Sequence, residues 1–197
     1  MPMLYCNKAV SKDERASLIL DIDETLLHAS TYPLAQAYDY KAERTWIYKR
    51  PYVDELLQYC AQFFRLAVWT SARASYAGEI FSQVFPYLTP EFIYSEKHCL
   101  TGTAPDGSEH SLKPLGILEQ QGFDLRRVLM VDDSPEKLAL NPGNLILIEP
   151  FYPKIISGHD DIELKKLKNY LALIRNTEDF LSIKKSLNLT DNRQRVV

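Results

Sequence analysis

Four short apolar runs punctuate the chain, and each stops at a cluster of polar residues. They are Leu18-Ile19-Leu20 into Asp21-Ile22-Asp23, Leu66-Ala67-Val68-Trp69 into Thr70-Ser71, Val128-Leu129-Met130-Val131 into Asp132-Asp133, and Leu145-Ile146-Leu147-Ile148 into Glu149-Pro150. Unbroken apolar runs of this length, set among stretches of helical periodicity, predict parallel strands buried on both faces. Val53, Leu56, Leu57 and Cys60 recur at helical spacing behind Pro51, a residue favoured at a first helical position because its missing N–H is not needed there. Further helices are predicted from Ala74 to Phe85, with Ile80, Phe81 and Val84 on the apolar side, and around Leu115 to Gln121, ending at Gly122. A fourth is predicted to begin near Pro135, and a last one from Asp160 to Lys185 carries Leu164, Leu167, Leu171 and Ile174 on one face. This alternation is α/β, with helices covering both faces of a mostly parallel sheet.

Two stretches break the alternation. Thr45-Trp46-Ile47-Tyr48 reads as an exposed antiparallel strand, and Phe92 to Leu112 as a small β-hairpin insertion around the Pro105-Asp106-Gly107 turn signal. No interval has room for a large cap domain. The expected layout is an N-terminal extension over residues 1–15, one folded unit over 16–188 and a C-terminal tail over 189–197, without repeats or linkers.

Composition narrows the function classes. The 197 residues are 46% hydrophobic and 25% charged, as in an ordinary globular domain with a sizeable core. A net charge of −3 supplies no basic field for nucleic acid or anionic membrane. Cys6, Cys60 and Cys99 are too scattered for a disulfide framework or a zinc site, and Cys60 lies in an apolar helical pattern that suits a buried reduced thiol. No leader-like apolar segment opens the chain, and no run reaches the roughly 20 residues a spanning helix needs. The expectation is a soluble intracellular protein, in cytoplasm or nucleus, or one exported by a route that leaves no such signal.

Ligands of open α/β sheets bind outside the carboxyl ends of the strands. Here those ends carry Asp21 and Asp23, then Thr70 and Ser71, then Asp132 and Asp133, with Lys113 opening the segment before the third strand. Each has a plainer role when taken alone. Asp21 or Asp23 can shape a turn, Asp132, Asp133 or Ser134 can cap a helix before Pro135, Thr70 can cap, and Lys113 can be solvated surface. In series they offer more. One carboxylate of Asp21-Ile22-Asp23 can attack phosphorus while its neighbour handles the leaving-group proton. Two acidic clusters in one crevice repel unless a cation sits between them, and hard oxygens with open positions suit Mg2+. Thr70 and Lys113 can serve a phosphoryl group.

At these residues the sequence resembles the haloacid dehalogenase superfamily of aspartyl-phosphate phosphatases. Within it, the chain is similar to the branch that dephosphorylates the C-terminal tail of RNA polymerase II, the small CTD phosphatases and their NLI-interacting-factor-like relatives. Asp21-Ile22-Asp23-Glu24-Thr25-Leu26 matches that branch's Asp-x-Asp-Glu-Thr-Leu signature, and Lys49 to Leu57 resembles its Lys-Arg-Pro-x-Val-Asp-Glu-Phe-Leu segment. Trp69-Thr70-Ser71-Ala72, Ser111-Leu112-Lys113 and Val131-Asp132-Asp133-Ser134-Pro135 occupy the threonine, lysine and acidic motifs, in order, between roughly Leu18 and Tyr170. The small phosphatases tend to have Asp-Asn-Ser where this chain has Asp132-Asp133-Ser134.

The resemblance implies a haloacid-dehalogenase-like, Rossmann-type sheet and a Mg2+-dependent protein serine/threonine phosphatase. It makes Asp21 the nucleophile and a metal ligand. Asp23 becomes the general acid and base, with its backbone carbonyl on the metal. Asp133 would complete the metal site with Asp132 beside it, and Thr70, Ser71 and Lys113 would hold the phosphoryl group. The implied partner is a phosphorylated protein or peptide, with Tyr38, Tyr40, Trp46 and Tyr48 as candidate groove aromatics beside the alternative that they only pack a sheet edge. Two alternatives remain: a small-molecule phosphatase of the same chemistry, and a non-catalytic phosphopeptide- or protein-binding module. Intact Asp21, Asp23, Thr70, Lys113 and Asp133 weigh against the second. A dehalogenase gives Asp23 no role, and four scattered histidines give a histidine-based mechanism little support.

Overall fold

The computed structural model of the chain describes residues 13–42, 44–104, 106–153 and 161–187. The expected C-terminal tail and nearly all of the expected N-terminal extension lie outside the described residues. Strands β1 (Ser17–Leu20), β2 (Leu27–Ser30), β3 (Tyr40–Lys41) and β4 (Trp46–Lys49) precede helix α1 (Val53–Phe63). Strand β5 (Arg65–Trp69), helix α2 (Ala74–Glu79), β6 (Ile93–Tyr94) and the hairpin β7 (Leu100–Thr103) and β8 (Glu109–Leu112) follow. The rest is α3 (Gly116–Gln120), β9 (Val128–Asp132), β10 (Leu145–Leu147) and α4 (Glu163–Ile174).

The central sheet has the order β10-β9-β1-β5-β6, and every pairing in it is parallel. All four apolar runs become strands of this sheet. Their continuous hydrophobicity follows from what lies on each side, because successive residues of a strand face opposite ways. Leu18 and Leu20, with Leu66, Val68, Leu129 and Val131, join the core that holds Leu56, Leu57 and Cys60 of α1 and Leu164, Leu167 and Leu171 of α4. Ile19, Ala67, Trp69 and Met130 face the other way, onto Leu115 and Leu118 of the α3 segment and Leu138. Cys60 is a free thiol, fully buried.

Several boundaries differ from the sequence expectation. Pro51 stands two residues before α1, and Tyr52, at a φ of 67°, makes the sharp entry. The helix expected over Ala74 to Phe85 stays α-helical only to Glu79, then widens into a π-type turn over Ile80–Val84, closed by Phe85 N–H donating to Ile80 O. The wider turn brings Ile80, Phe81 and Val84 all into the core. The segment at Pro135 is a single 3-10 turn, Pro135–Leu138, rather than a longer helix. The last helix ends at Ile174. The polar Asn176-Thr177-Glu178-Asp179 stretch turns the chain there, and the Asp179 carboxylate accepts from Leu181 N–H to start a short 3-10 turn over Phe180–Ser182.

The two departures from alternation become small sheets. The β7–β8 hairpin pairs Leu100 with Leu112 and Thr103 with Glu109, but it is shorter than the insertion expected over Phe92 to Leu112, because Ile93 and Tyr94 pair with β5 in the central sheet. The Thr45–Tyr48 segment is not an exposed strand. As β4 it is the central member of an antiparallel sheet ordered β2-β4-β3, and both Ile47 and Tyr48 are fully buried. The Tyr48 hydroxyl accepts from Leu34 N–H, which gives its polar end a partner inside the fold. Among the described residues no helix is long and apolar enough to cross a membrane.

Candidate active site

Register sets the site. Leu20 pairs with Val68 on one side and Val131 on the other, so the next residues along these strands, Asp21, Trp69-Thr70 and Asp132-Asp133, emerge together at the carboxyl edge. Asp21 N–H still donates to Val131 O at 3.0 Å, which holds its backbone in line with the sheet. Beyond it the chain turns back on itself. Leu26 N–H donates to Ile22 O, Glu24 N–H donates to Leu27 O, and Glu24 adopts a φ of 57°. A glutamate in that left-handed region is uncommon and needs support from its surroundings. Arg50, almost wholly buried, gives part of it. Its guanidinium donates to the carbonyls of Glu24 and Thr25, while Asp161 accepts from its Nε at 3.0 Å.

Three of the predicted acids meet. Asp21, Asp132 and Asp133 each offer a carboxylate oxygen within 4.8 Å of the others. Lys113, with no exposed surface, donates to Asp21 Oδ1 at 2.8 Å and to Asp132 Oδ2 at 2.7 Å. An ammonium has three N–H groups, so one remains for a further acceptor. Asp132 is fully buried and also accepts from Ser134 N–H, whereas Asp133 is the more open of the pair. Three convergent anionic oxygens that draw ammonium groups from two separate segments make a donor set suited to Mg2+.

The second ammonium belongs to Lys137, which sequence reasoning missed. Its Nζ lies 3.0 Å from Asp21 Oδ2, 3.2 Å from Asp132 Oδ1 and 3.4 Å from Asp133 Oδ1. Its spacing four residues after Asp133, on the turn that follows Pro135, was the available signal. Burial pushes the Lys137 ammonium towards neutrality, but Asp21, Asp132 and Asp133 outweigh it and hold it above the usual lysine range.

The two aspartates of the first motif are driven apart. Burial pushes the Asp21 carboxyl up, but Lys113 and Lys137 more than offset this and hold it below the usual carboxylate range. Asp23 lies outside that grip. Burial, with help from the charges of Asp21 and Glu24, pushes it up to about 6, against the opposing effects of a hydrogen bond from Tyr76 and the more distant charge of Lys137. Tyr76, on α2, donates to Asp23 Oδ1 at 2.6 Å and is the second residue the sequence did not signal. One carboxylate kept charged beside one that can carry a proton is the division needed for a nucleophile and an acid.

Thr70 and Ser71 sit at the neighbouring strand end without a hydrogen bond to the acidic cluster. Thr70 Oγ1 accepts from Ala72 N–H at 3.0 Å, the capping role, which leaves its O–H to donate. Ser71 Oγ is buried without a partner among the described residues. A surface groove of about 560 Å3, lined in part by Lys49, Arg50, Phe151, Tyr152, Asp161 and Lys166, adjoins the Asp23–Glu24 turn. Phe151 N–H donates to Glu24 O at 2.7 Å, and the Tyr152 ring packs edge-on to His28, itself paired with Glu24. Of the aromatics proposed for a peptide groove, Tyr48 is buried and unavailable, Tyr40 donates to Glu79, and Tyr38 is exposed.

A family model described as NLI interacting factor-like phosphatase matches residues 16–181. The chain is 29% identical over 172 residues to CTD small phosphatase-like protein 2 of Dictyostelium discoideum, covering 84% of this chain and 28% of that protein. It is 25% identical over 177 residues to the human carboxy-terminal domain RNA polymerase II polypeptide A small phosphatase 1, covering 86% and 63%. The chain therefore spans less than two thirds of either relative. The fission yeast RNA polymerase II CTD phosphatase Fcp1, in a structure bound to beryllium fluoride, shares the fold at a TM-score of 0.52 and 20% identity. That match covers 84% of this chain and 53% of that one.

Proposed function

Because the chain belongs to the NLI interacting factor-like phosphatase family, we propose that it is a Mg2+-dependent serine/threonine phosphatase acting on a phosphorylated protein, with residues 16–188 as the catalytic unit. The observation that carries this reading is the placement of Asp21 at the end of the central strand, gripped by Lys113, with Asp23 two residues on and held by Tyr76.

The reaction divides between these residues. An Asp21 oxygen attacks phosphorus in line, forming an O–P bond as the bond to the serine or threonine oxygen breaks, and Asp23 gives that oxygen its proton. Asp23, now a carboxylate, takes a proton from water, whose oxygen attacks the aspartyl-phosphate. The Asp21 O–P bond breaks and inorganic phosphate leaves. Lys113 keeps Asp21 charged and offers its remaining N–H to the phosphoryl group, with Thr70 and Ser71 as further donors. Asp21 and Asp133, with Asp132 beside them and the Asp23 carbonyl, would hold Mg2+, which when bound neutralises charge on the phosphoryl group.

Three features favour a protein over a metabolite. Among the described residues the only additions to the central sheet are the β2-β4-β3 sheet and the β7–β8 hairpin, too small to close over a metabolite as a lid does. The groove beside the Glu24 turn offers lysines and the exposed Tyr152 to a chain on either side of a phosphorylated residue. Two of the named relatives are, by name, phosphatases of the RNA polymerase II carboxy-terminal domain. Such a substrate suits an enzyme that works in cytoplasm or nucleus, or one exported to reach it.

Phosphate release from a panel of phosphoserine and phosphothreonine peptides, run beside metabolite phosphates with Mg2+ or EDTA, tests the reading. Metal-dependent turnover that favours peptides supports it. A strong preference for one small phosphate would replace it with the metabolite reading, and no turnover at all with the binding-module reading.

Tyr76 makes a narrower prediction. Tyr76→Phe removes one neutral donor worth about 1 kcal/mol to the orientation of Asp23. The rate with peptide is expected to fall roughly five- to tenfold, with KM little changed. An unchanged kcat would show that Asp23 is positioned by other contacts.

A further inference from the structure

Asp21 carries an ammonium on both of its oxygens. Lys113 holds Oδ1 and Lys137 holds Oδ2. Each oxygen keeps a second lone pair, yet an ammonium beside it lowers its nucleophilicity and crowds its approach to phosphorus, so the reaction proposed above gains if one of the two lysines gives way. The structure distinguishes them. The Lys113 side chain is 0% exposed and is shared between two buried carboxylates. The Lys137 side chain is 18% exposed and extends from a single turn at the edge of the site, so its flexible stem can swing to solvent without disturbing the core.

Lys137 also stands where a metal ion would go. Its Nζ lies within 3.4 Å of one oxygen on each of Asp21, Asp132 and Asp133, the same three groups whose oxygens converge. A divalent cation drawn by their summed charge must come to the same place, and two cations a few ångströms apart in a half-buried site repel strongly.

We propose that Lys137 is a tethered counter-ion of the metal-free enzyme, which holds the three carboxylates together until a divalent cation displaces it and takes its place among them. This rests on reading Asp21, Asp132 and Asp133 as the metal-binding group. Metal binding is then an exchange of one cation for another, and the affinity measured is the difference between the two. Without Lys137, three mutually repelling carboxylates would share the remaining ammonium of Lys113 and would gain more from an added cation.

The test is calorimetric titration of Mg2+ into metal-stripped wild-type protein, Lys137→Met and Lys137→Gln, with melting curves in EDTA and in excess Mg2+. Lys137→Gln keeps a polar side chain of moderate length and gives the same reading if Lys137→Met does not fold without metal. Both variants are expected to bind Mg2+ about tenfold more tightly than wild type, to melt lower in EDTA, and to gain more in Tm from Mg2+. Equal affinities in all three proteins overturn the exchange and leave the metal-binding group intact. Weaker binding in the variants overturns it too, by making Lys137 a supporter of the metal rather than its competitor. Absence of Mg2+ binding by any of the proteins overturns the exchange together with the reading of the three carboxylates.

Discussion

Asp21→Asn should lower turnover of a phosphopeptide by roughly 10^4-fold or more, the scale on which removal of an enzyme's nucleophile is felt. The amide is isosteric with the carboxylate but cannot form the bond to phosphorus. The fold should survive, because Lys113 keeps Asp132 and Lys137 keeps Asp132 and Asp133 as partners. Substrate affinity should change far less than kcat, since the groove and the remaining donors are untouched. Rapid acid quenching of a reaction with labelled peptide checks the chemistry directly. Wild type should retain label on the chain during turnover and the variant none. Residual turnover within tenfold of wild type would mean that another group attacks phosphorus.

The second large effect is on stability. Lys113 is the only fully buried lysine among the described residues, and it bridges two carboxylates that are themselves almost without exposed surface. Lys113→Met fills the space with a side chain of similar length but leaves Asp132 and half of Asp21 without their nearest countercharge. Removing one partner from such a buried pair costs about 3–5 kcal/mol, to be read from urea unfolding in EDTA. The loss comes from the uncompensated carboxylates, so adding Asp132→Leu to the variant should recover part of it. A single variant within about 1 kcal/mol of wild type would show that Lys137 and solvent already compensate the cluster.

Much of this could be read along the chain, for a physical reason. Strands β1, β5 and β9 are covered on both faces, so each must be a continuous apolar run, and such runs stand out. Because ligands gather at the carboxyl ends of such strands, the polar residues after Leu20, Trp69 and Val131 were natural candidates before any coordinates. The motifs from Asp21 to Asp133 then pointed to the family.

What escaped notice did so for equally physical reasons. Strand β6 is two residues long, and its short Phe92-Ile93-Tyr94 run reads as part of the neighbouring hairpin insertion. Thr45 to Tyr48 has the mixed polarity of an exposed strand, and the central place of β4 depends on β3, which is only two residues long. Helix lengths were overstated where a periodic face continued past the last α-helical turn, as at Ile80 and beyond Ile174. Lys137 and Tyr76 lie on elements whose other residues read as ordinary surface or core. Their roles depend on the angle at which those elements cross the sheet edge, and that angle is a property of the packed whole.

The order of the central sheet bears on how the protein is made. Strand β1 is made before either of its neighbours. Ser17 pairs with Arg65 on one side and with Val128 on the other. One edge of β1 must therefore stay unpaired until β9 is made, with the carboxylate of Asp21 waiting for Lys113 and Lys137. Contacts of such long sequence separation form slowly because the loop must close before they reward it. During translation that open edge of β1 is a segment a chaperone would hold, and the reactive centre cannot assemble before Lys113, Asp132 and Lys137 have followed.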